Sequence, residues 1–298
     1  EFQKNIFNKG QLDLCSTYYD KYDDFDEEES EPPTPRAGPE PCILIAPYLP
    51  FNKIGDPWYD ITLKMAYSAS QYVDSATPLY PVLLIPAEIL EDEDAVKRIC
   101  DDYLAGDFGG YFIWVNKASE NSADENKLSG LIAMVRSLAS SGKPVFKLFG
   151  GYFSCLLFAD GLKGFSCGLG YGESKNVYAY PGGGRGSGQP RYYIPRLHRA
   201  LELADAERLI RAYPSLACNC AMCKNVYGDN IMRFSEMKEP GRCQRHFINV
   251  RKNEMTRIAS RGIAAEIGEI NGTIKEFKDN DLIDTGSLNN WAKLLTPE

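Results

Sequence analysis

The sequence predicts an α/β fold in which short strands alternate with helices around a mainly parallel sheet. Apolar runs of four or five residues recur along the chain, segments with helical spacing of apolar residues follow them, and turn residues separate the two. Repeated units of this kind build either a closed β/α barrel or an open doubly wound sheet. We expect a TIM-like β/α barrel, complete or lacking some units, with a zinc-binding subdomain; the open sheet is the alternative.

The predicted elements begin after residue 41. Strands are expected at 42–46, 82–85, 111–115, 145–149, 164–169 and 192–194. Helices are expected at 58–73, 92–104, 124–140 and 201–212. The pair Asp56-Pro57 introduces the first helix and Gly142-Lys143-Pro144 closes the third, as is typical of helix ends. The alternation covers about 170 residues, which favours a barrel with missing or degenerate units.

Residues 1–41 differ in composition from the rest of the chain. The first 40 residues carry 11 acidic and 4 basic side chains, a net charge of −7, which leaves −1 of the total −8 for the remainder. The acidic, proline-containing run from Asp20 to Pro41 buries too little apolar area to offset the entropy of ordering it. We therefore expect an acidic arm or linker over 1–41, a barrel core over 42–213, and a zinc-binding segment with C-terminal helices over 214–298.

Composition also bears on partners and compartment. The nearly neutral body lacks the basic character that would argue for nucleic acid, although an acidic tail does not exclude it. No apolar run of about 18 residues occurs, so we expect no membrane association. The chain has nine cysteines, an odd number with three of them clustered, which fits a reducing compartment better than a disulfide scaffold. We expect a cytoplasmic protein.

Three cysteines and a histidine form the most specific motif of the chain. Cys218, Cys220 and Cys223 lie within six residues, and 22 residues separate Cys223 from His246. Three thiolates and an imidazole make a closed set of the kind that structural zinc prefers, with no open position for catalysis. Cys243 is the alternative fourth ligand, since it lies three residues before His246.

Two glycine-rich segments follow predicted strands, where the site of a barrel enzyme would lie. Glycine lets the backbone approach a ligand closely, and Glu173 can accept hydrogen bonds from a base or another planar donor. For each glycine the alternative is a tight turn. Arg185, in a further glycine-rich loop, is available to a phosphate. With Arg185, the expected substrate-binding residues are Gly150, Gly151, Tyr152, Ser154, Gly168, Leu169, Gly170 and Gly172.

Several of these segments together resemble one known family. They are the loop Gly168–Ser174, the run Arg191-Tyr192-Tyr193, the three clustered cysteines, and His246 leading into a helix. Together they resemble the C-terminal half of tRNA-guanine transglycosylases. That family includes paralogues that insert deazapurines into DNA. The resemblance covers about 100 of the 298 residues. It implies a β/α barrel with a zinc subdomain, loop glycines and a glutamate that hold a purine-type base, tRNA or DNA as partner, and a pentosyltransferase reaction that exchanges the base at a ribosidic carbon.

One feature of that family is missing from this chain. The family uses an aspartate just before the zinc segment as nucleophile. Between Asp160 and Cys218 the only aspartate is Asp205, which lies within a predicted helix. Two hypotheses follow. Either Glu173 or Asp160 carries the chemistry of a base exchange, or the chain is a catalytically degenerate, zinc-stapled subunit that binds nucleic acid or a partner protein.

The C-terminal region contains an apolar seam. Ile263, Ile267, Ile270, Ile274 and Phe277 are spaced 4, 3, 4 and 3 residues apart, which places them on one face of a helix. This face is expected to pack either on the chain's own barrel or, as the alternative, on a second copy in a homodimer.

Overall fold

The computed structural model of the chain describes residues 42–73, 77–168, 173–178 and 190–296. Within these ranges the fold is mixed α/β, with a parallel four-stranded sheet and helices. The expected acidic arm at 1–41 lies outside the described residues, and so do Leu169, Gly170, Gly172 and Arg185.

The parallel strands form a two-stranded sheet and a separate four-stranded sheet. Strand β1 (Leu44–Ile45) pairs with β2 (Leu79–Tyr80), and one residue separates β2 from β3 (Val82–Pro86). Strands β3, β4 (Tyr111–Asn116), β5 (Val145–Lys147) and β6 (Leu162–Phe165) then hydrogen-bond in that order, all parallel. This consecutive order is that of a barrel, and the reversal typical of a doubly wound sheet does not occur among the described strands. These strands also do not close into a barrel.

Helices connect the strands and cover one face of the sheet. Helices α1 (Pro57–Tyr72), α2 (Glu93–Leu104) and α3 (Glu125–Ala139) begin where the side chains of Asp56, Asp92 and Asp124 accept a hydrogen bond from a first-turn N–H group. Their bounds differ from the predicted ones by at most one residue. Short helix α4 (Tyr152–Leu156) follows β5, and 3-10 helices lie at Ala87–Glu91 and Leu157–Asp160.

The second half of the chain is mainly helical. Strands β7 (Arg191–Ile194) and β8 (Arg199–Glu202) form an antiparallel hairpin. The strand predicted at 192–194 therefore exists, but it is not a further parallel barrel strand. The helices that follow are α5 (Leu203–Ala212), α6 (Ala221–Val226), α7 (Arg242–Arg261), α8 (Ile263–Phe277) and α9 (Gly286–Leu295), with 3-10 helices at Pro214–Leu216 and Ile231–Lys238.

Two main hydrophobic cores result from this arrangement. The larger core lies between the sheet and its helices and includes residues of α8 and α9. The smaller core surrounds the β7–β8 hairpin and includes residues of α5, α6 and α7. It crosses the expected boundary between residues 213 and 214, because the hairpin and α5 pack with the cysteine segment.

Helix α8 packs its apolar seam on this same chain. Ile267 and Ile270 are buried in the larger core, and Phe277 is buried in the smaller one. Ile263 and Ile274 are partly buried against the larger core. The alternative role of the seam, a homodimer contact, stays a prediction. Among the helices of the described ranges, none has both the length and the apolarity needed to cross a membrane.

Two helical glycines give a matched test of how closely α3 packs on the 3-10 helix Ala87–Glu91. A Cβ atom added to Gly130 in α3 would overlap the backbone carbonyl of Leu90, whereas one added to Gly268 in α8 would meet nothing within 4 Å. We expect Gly130→Ala to lower the free energy of unfolding by about 1–3 kcal/mol through overpacking. Gly268→Ala should instead raise it by roughly 0.5–1 kcal/mol through helix propensity. Urea unfolding of both variants measures the difference, and equal effects would contradict the α3 contact.

Candidate functional site

The predicted metal ligands come together in space. The ligand atoms of Cys218, Cys220, Cys223 and His246 all lie within 4.8 Å of one another, so this group could hold a metal ion. The Nδ1 atom of His246 lies 3.4 Å from the Cys220 sulfur and 3.3 Å from the Cys223 sulfur. The cysteines precede and open α6, while His246 comes from the second turn of α7. The cluster therefore joins two helices that are distant in sequence.

Surrounding groups orient these ligands. The Nε2 atom of His246 donates a hydrogen bond to the Tyr193 carbonyl at 2.7 Å, so Nδ1 is the ring nitrogen that faces the sulfur atoms and could bind a metal ion. The Tyr192 ring stacks on the His246 ring at 4.1 Å, and its hydroxyl lies 3.2 Å from the Cys223 sulfur. The Tyr227 hydroxyl donates to the Cys218 carbonyl at 2.8 Å.

The thiols and the imidazole also perturb one another. Hydrogen bonds from Cys218 and Cys223 lower the pKa of Cys220 far below that of an ordinary thiol. Burial would lower the pKa of His246, but its hydrogen bonds with Cys220 and Cys223 outweigh burial and raise it to about 9. Cys243, the alternative ligand, is buried outside the cluster and donates to the Met237 carbonyl at 3.3 Å. The geometry favours His246 as the fourth ligand.

A second group of polar residues lies at the carboxyl ends of β4, β5 and β6. We call Glu120, Lys147, Glu173, Arg251 and Glu254 the strand-end cluster. Glu120 follows β4, Lys147 ends β5, and Glu173 follows β6. Arg251 and Glu254 come from α7. This edge of a parallel sheet is where ligands bind in α/β proteins.

Within the cluster, the carboxylate of Glu120 is saturated with donors. It forms an ion pair with Lys147 at 2.9 Å and accepts hydrogen bonds from the backbone N–H groups of Gly151 and Ser154 at 2.9 and 3.1 Å. The Ser154 hydroxyl also donates to it. Burial would raise the pKa of Glu120, but Lys147 and Ser154 outweigh burial and lower it. Glu120 is therefore an ionised residue that fixes the loop after β5.

Glu173 has fewer partners. Its Oε1 atom accepts from the Arg251 guanidinium at 3.1 Å, and its Oε2 atom accepts from the Asn121 amide nitrogen at 3.1 Å. Burial raises the pKa of Glu173 to about 7, the carboxylates of Glu120 and Glu254 add to that rise, and Arg251 opposes it only in part. The other amide atom of Asn121, Oδ1, is buried without a partner among the described residues. Asn121 thus binds Glu173 through its amide nitrogen and keeps its amide oxygen as an acceptor without a partner among the described residues.

Arg251 links the strand ends to the second half of the chain. Its guanidinium contacts Glu254 at 3.1 Å as well as Glu173, and Glu254 in turn contacts His198 Nδ1 at 3.0 Å. The Tyr193 hydroxyl donates to Glu254 at 3.0 Å. Arg251 and Glu254 are 5% and 1% exposed, so this network is almost completely removed from water.

Strained backbone conformations occur in the same region. Lys117 directly follows β4 with φ of 60°, and Phe149 lies two residues after β5 with φ of 57°. His198, in the β7–β8 turn, has φ of 49°. Non-glycine residues avoid this left-handed region, and such strain concentrates at functional sites. These are the three non-glycine residues with positive φ in the described parts of the chain, and all lie near the strand-end cluster or its His198 extension.

The residues predicted to bind substrate have different positions. Gly151 lies between two carboxylates, because a Cβ atom there would be 2.9 Å from an oxygen of both Glu120 and Glu173. Gly150 donates its N–H to the Ser166 carbonyl at 2.8 Å, and Gly168 is half-buried after β6. Tyr152 and Ser154 are fully buried in α4 and bond to Glu266 and Glu120. Gly150 and Gly151 thus leave no room for a Cβ atom beside side chains of this same chain, and their expected contact with a substrate stays a prediction.

Asp160 is not close to Glu173 along the sheet. It ends the 3-10 helix just before β6 and forms an ion pair with Arg136 of α3 at 2.6 Å. That position is the amino end of β6, whereas Glu173 follows its carboxyl end. The two candidate catalytic carboxylates therefore lie at opposite edges of the sheet.

The sequence prediction missed four members of the strand-end cluster. Lys147 gave a signal, since it interrupts the apolar run Val145–Phe149. Arg251 and Glu254 gave another, because they fall on the buried face of α7 with His246 and Val250. Glu120 lies in a polar loop, and nothing in the sequence marks it. A surface cleft of about 330 Å³ between α2 and α3 is lined by Leu90, Cys100 and Gly130 among others, away from both candidate sites.

Comparison of the chain with protein-family models, curated proteins and solved structures returned no match.

The raised pKa of Glu173 predicts a specific dependence of stability on pH. The unfolded carboxyl group ionises near its usual 4.5 and the folded one at about 7, so the folded state binds more protons between these values. Stability should therefore fall as pH rises from about 4.5 to 7, by on the order of 1–3 kcal/mol from this group. The difference in urea-unfolding free energy between the wild type and Glu173→Gln, measured at pH 5 and 7.5, isolates this contribution. Parallel pH profiles would contradict it.

Proposed function

We propose that this protein binds a purine-type base, free or within nucleic acid, at the carboxyl edge of its parallel sheet, and that a structural zinc ion at Cys218, Cys220, Cys223 and His246 holds its second half together. The observation that carries the proposal is Glu173, a buried carboxylate with unused acceptor capacity beside the unpartnered Asn121 oxygen.

Zinc suits the metal centre for chemical reasons. Three thiolates and one imidazole are soft to intermediate ligands, and a closed tetrahedral set of this type is typical of structural zinc. The hydrogen bond from His246 Nε2 to a backbone carbonyl is the outer contact that metal-bound histidines commonly make. Cys220, Cys223 and His246 are also buried, which fits a structural role. When bound, zinc would supply cross-linking of α6 to α7 and no open coordination position.

The acceptors at the strand ends suit the edge of a guanine-type base. Such a base presents a ring N–H and an amino group side by side, and two adjacent acceptors complement them. Buried acceptors without partners cost free energy, and a ligand that fills them recovers that cost. Glu173 is held by Arg251 and Asn121, so its position is fixed before any ligand arrives.

Aromatic side chains are available near the same edge for stacking. Trp114 of β4 and Phe149 after β5 have ring centroids 5.0 Å apart, and Tyr48 after β1 lies 6.2 Å from Trp114. The indole Nε1 of Trp114 is buried with no partner in the described part of the chain. Stacking of a base on an aromatic ring contributes about 1–3 kcal/mol.

The arrangement of the carboxylates favours binding of a base without base exchange. A covalent exchange needs a nucleophilic carboxylate as well as an acid or base. Glu120 is engaged by Lys147, Gly151 and Ser154. Glu254 contacts Arg251, His198 and Tyr193. Glu173 has Arg251 and Asn121 as its partners, so it is the carboxylate of the three with the most acceptor capacity for a ligand. One such carboxylate fits recognition of a base better than double displacement.

Metal analysis tests the zinc proposal. We expect about one zinc ion per chain in the wild type and its loss in Cys220→Ser and His246→Ala, because three ligands hold zinc less well than four. Cys243→Ser is the matched control and should keep the ion. Stoichiometric zinc in His246→Ala together with its loss in Cys243→Ser would overturn the ligand assignment.

Calorimetric titration with guanine and 7-deazaguanine tests the base proposal. We expect Glu173→Gln to weaken binding at least about tenfold, or 1.4 kcal/mol, because an amide nitrogen replaces one acceptor. Glu239→Gln, at an exposed position after the 3-10 helix Ile231–Lys238, is the control and should bind as the wild type does. Equal affinity for guanine and cytosine, or unchanged binding by Glu173→Gln, would refute the proposal.

A further assay separates binding from exchange. The protein is incubated with labelled guanine and with tRNA or duplex DNA. Incorporation of label that Glu173→Gln abolishes would establish a pentosyltransferase. Binding of guanine with no incorporation into either acceptor would support the role of a zinc-stapled binding subunit.

A further inference from the structure

Two neighbouring tyrosines of β7 connect the metal centre to the strand-end cluster. The Tyr192 hydroxyl lies 3.2 Å from the Cys223 sulfur, and the Tyr193 carbonyl accepts from His246 at 2.7 Å. The Tyr193 side chain points to the other end of the network, where its hydroxyl donates to Glu254 at 3.0 Å. One residue therefore contacts a metal ligand through its backbone and the strand-end cluster through its side chain.

From Tyr193 the contacts continue without a gap to the proposed base site. Glu254 pairs with Arg251 at 3.1 Å, and Arg251 donates to Glu173 at 3.1 Å. The Arg251 guanidinium also lies over the Tyr193 ring, 5.2 Å from its centroid. Tyr193 is fully buried and Arg251 and Glu254 nearly so. A displacement at one end of such a network leaves buried charges unpaired unless the other end follows.

Helix α7 provides a second, parallel connection. It carries the metal ligand His246 and, five and eight residues later, Arg251 and Glu254. All three lie on its buried face, and at 1.5 Å per residue Arg251 and Glu254 are about 7.5 and 12 Å from His246 along the axis. Any rotation or shift of α7 that follows loss of the metal would move Arg251 relative to Glu173.

We infer that metal binding and base binding raise each other's affinity through Tyr193, Glu254 and Arg251, with Tyr193 as the positioning residue. This inference rests on the proposed function. Without metal, the three cysteines no longer hold His246 and with it the start of α7, and Arg251 loses its fixed position beside Glu173. A base bound at Glu173 fixes Arg251 and, through it, Glu254. Glu254 then fixes Tyr193, whose carbonyl holds the His246 ring. The two affinities must change by the same factor.

The test measures zinc affinity by chelator competition with and without saturating guanine, and guanine affinity with and without zinc. In the wild type we expect the same factor, about tenfold, in both directions. Tyr193→Phe keeps the ring and the carbonyl but loses the hydroxyl, so it should still bind one zinc ion while the factor falls to the smaller part that α7 alone transmits. Tyr192→Phe is the matched control: it should bind zinc more weakly and keep the factor.

The outcomes separate the inference from the proposed function. If the wild type binds guanine but saturating guanine does not change its zinc affinity, the inference is overturned. The proposed base site would be unaffected by that result. Coupling of wild-type size in Tyr193→Phe would overturn the role of Tyr193.

A ligand-free measurement covers the case in which the wild type binds no guanine. The Nε–H resonance of Arg251, identified by its absence in Arg251→Lys, is followed by NMR with and without zinc. A zinc-dependent shift in the wild type that Tyr193→Phe abolishes would support the coupling even so. The same chemical shift of this resonance with and without zinc would refute the coupling.

Discussion

The Arg251 guanidinium is the interaction on which the arrangement of the strand ends depends. It is the shared counterion of Glu173 and Glu254, two buried carboxylates that come from different parts of the chain. It also lies within 6.0 Å of the ring centroids of Tyr152, Phe165, Tyr193 and Phe247. Removal of a buried partner typically costs 3–5 kcal/mol, because the remaining charge is left uncompensated. The loop after β6, the hairpin and α7 therefore hold their relative positions through one side chain.

A buried network of charged residues contributes less to the free energy of folding than apolar residues in the same place often do. Well-packed apolar residues of similar volume often stabilise a protein more than a buried ion pair does, so stability alone does not explain five charged residues at one edge of a sheet. The strained backbone of Lys117 and Phe149 adds a further cost at the same edge. Asn121 Oδ1 and Trp114 Nε1 add a third cost, because each is a buried polar atom with no hydrogen-bond partner in the described part of the chain. Costs of three kinds at the edge where α/β proteins bind ligands are consistent with a site selected for binding.

Local signals in the sequence predicted much of the first half of the fold. Helices α1 to α3 have aspartate caps and regular apolar spacing, and their bounds agree with the prediction because both signals are local. The β7–β8 hairpin was harder, since an apolar run such as Tyr192-Tyr193-Ile194 does not reveal whether its partner is parallel or antiparallel. The cysteine cluster was predicted because metal chemistry restricts residue type and spacing. The strand-end cluster was not, because its members are single charged residues up to 134 positions apart whose meaning depends on tertiary contacts.

The metal centre and the charged network address the same structural weakness. A two-stranded hairpin is marginally stable by itself, and β7 and β8 are four residues each, so the smaller core needs an additional constraint. With a metal ion bound, the cluster of Cys218, Cys220, Cys223 and His246 would supply one by tying α6 to α7, and His246 donates a hydrogen bond to the β7 backbone at Tyr193. Helix α7 continues from this small core into the larger one, where Ile258 is buried. Arg251 lies between those two ends. A constraint at the start of α7 therefore acts on the same helix that carries the guanidinium to the sheet edge, and this shared helix is the structural basis of the coupling that we propose.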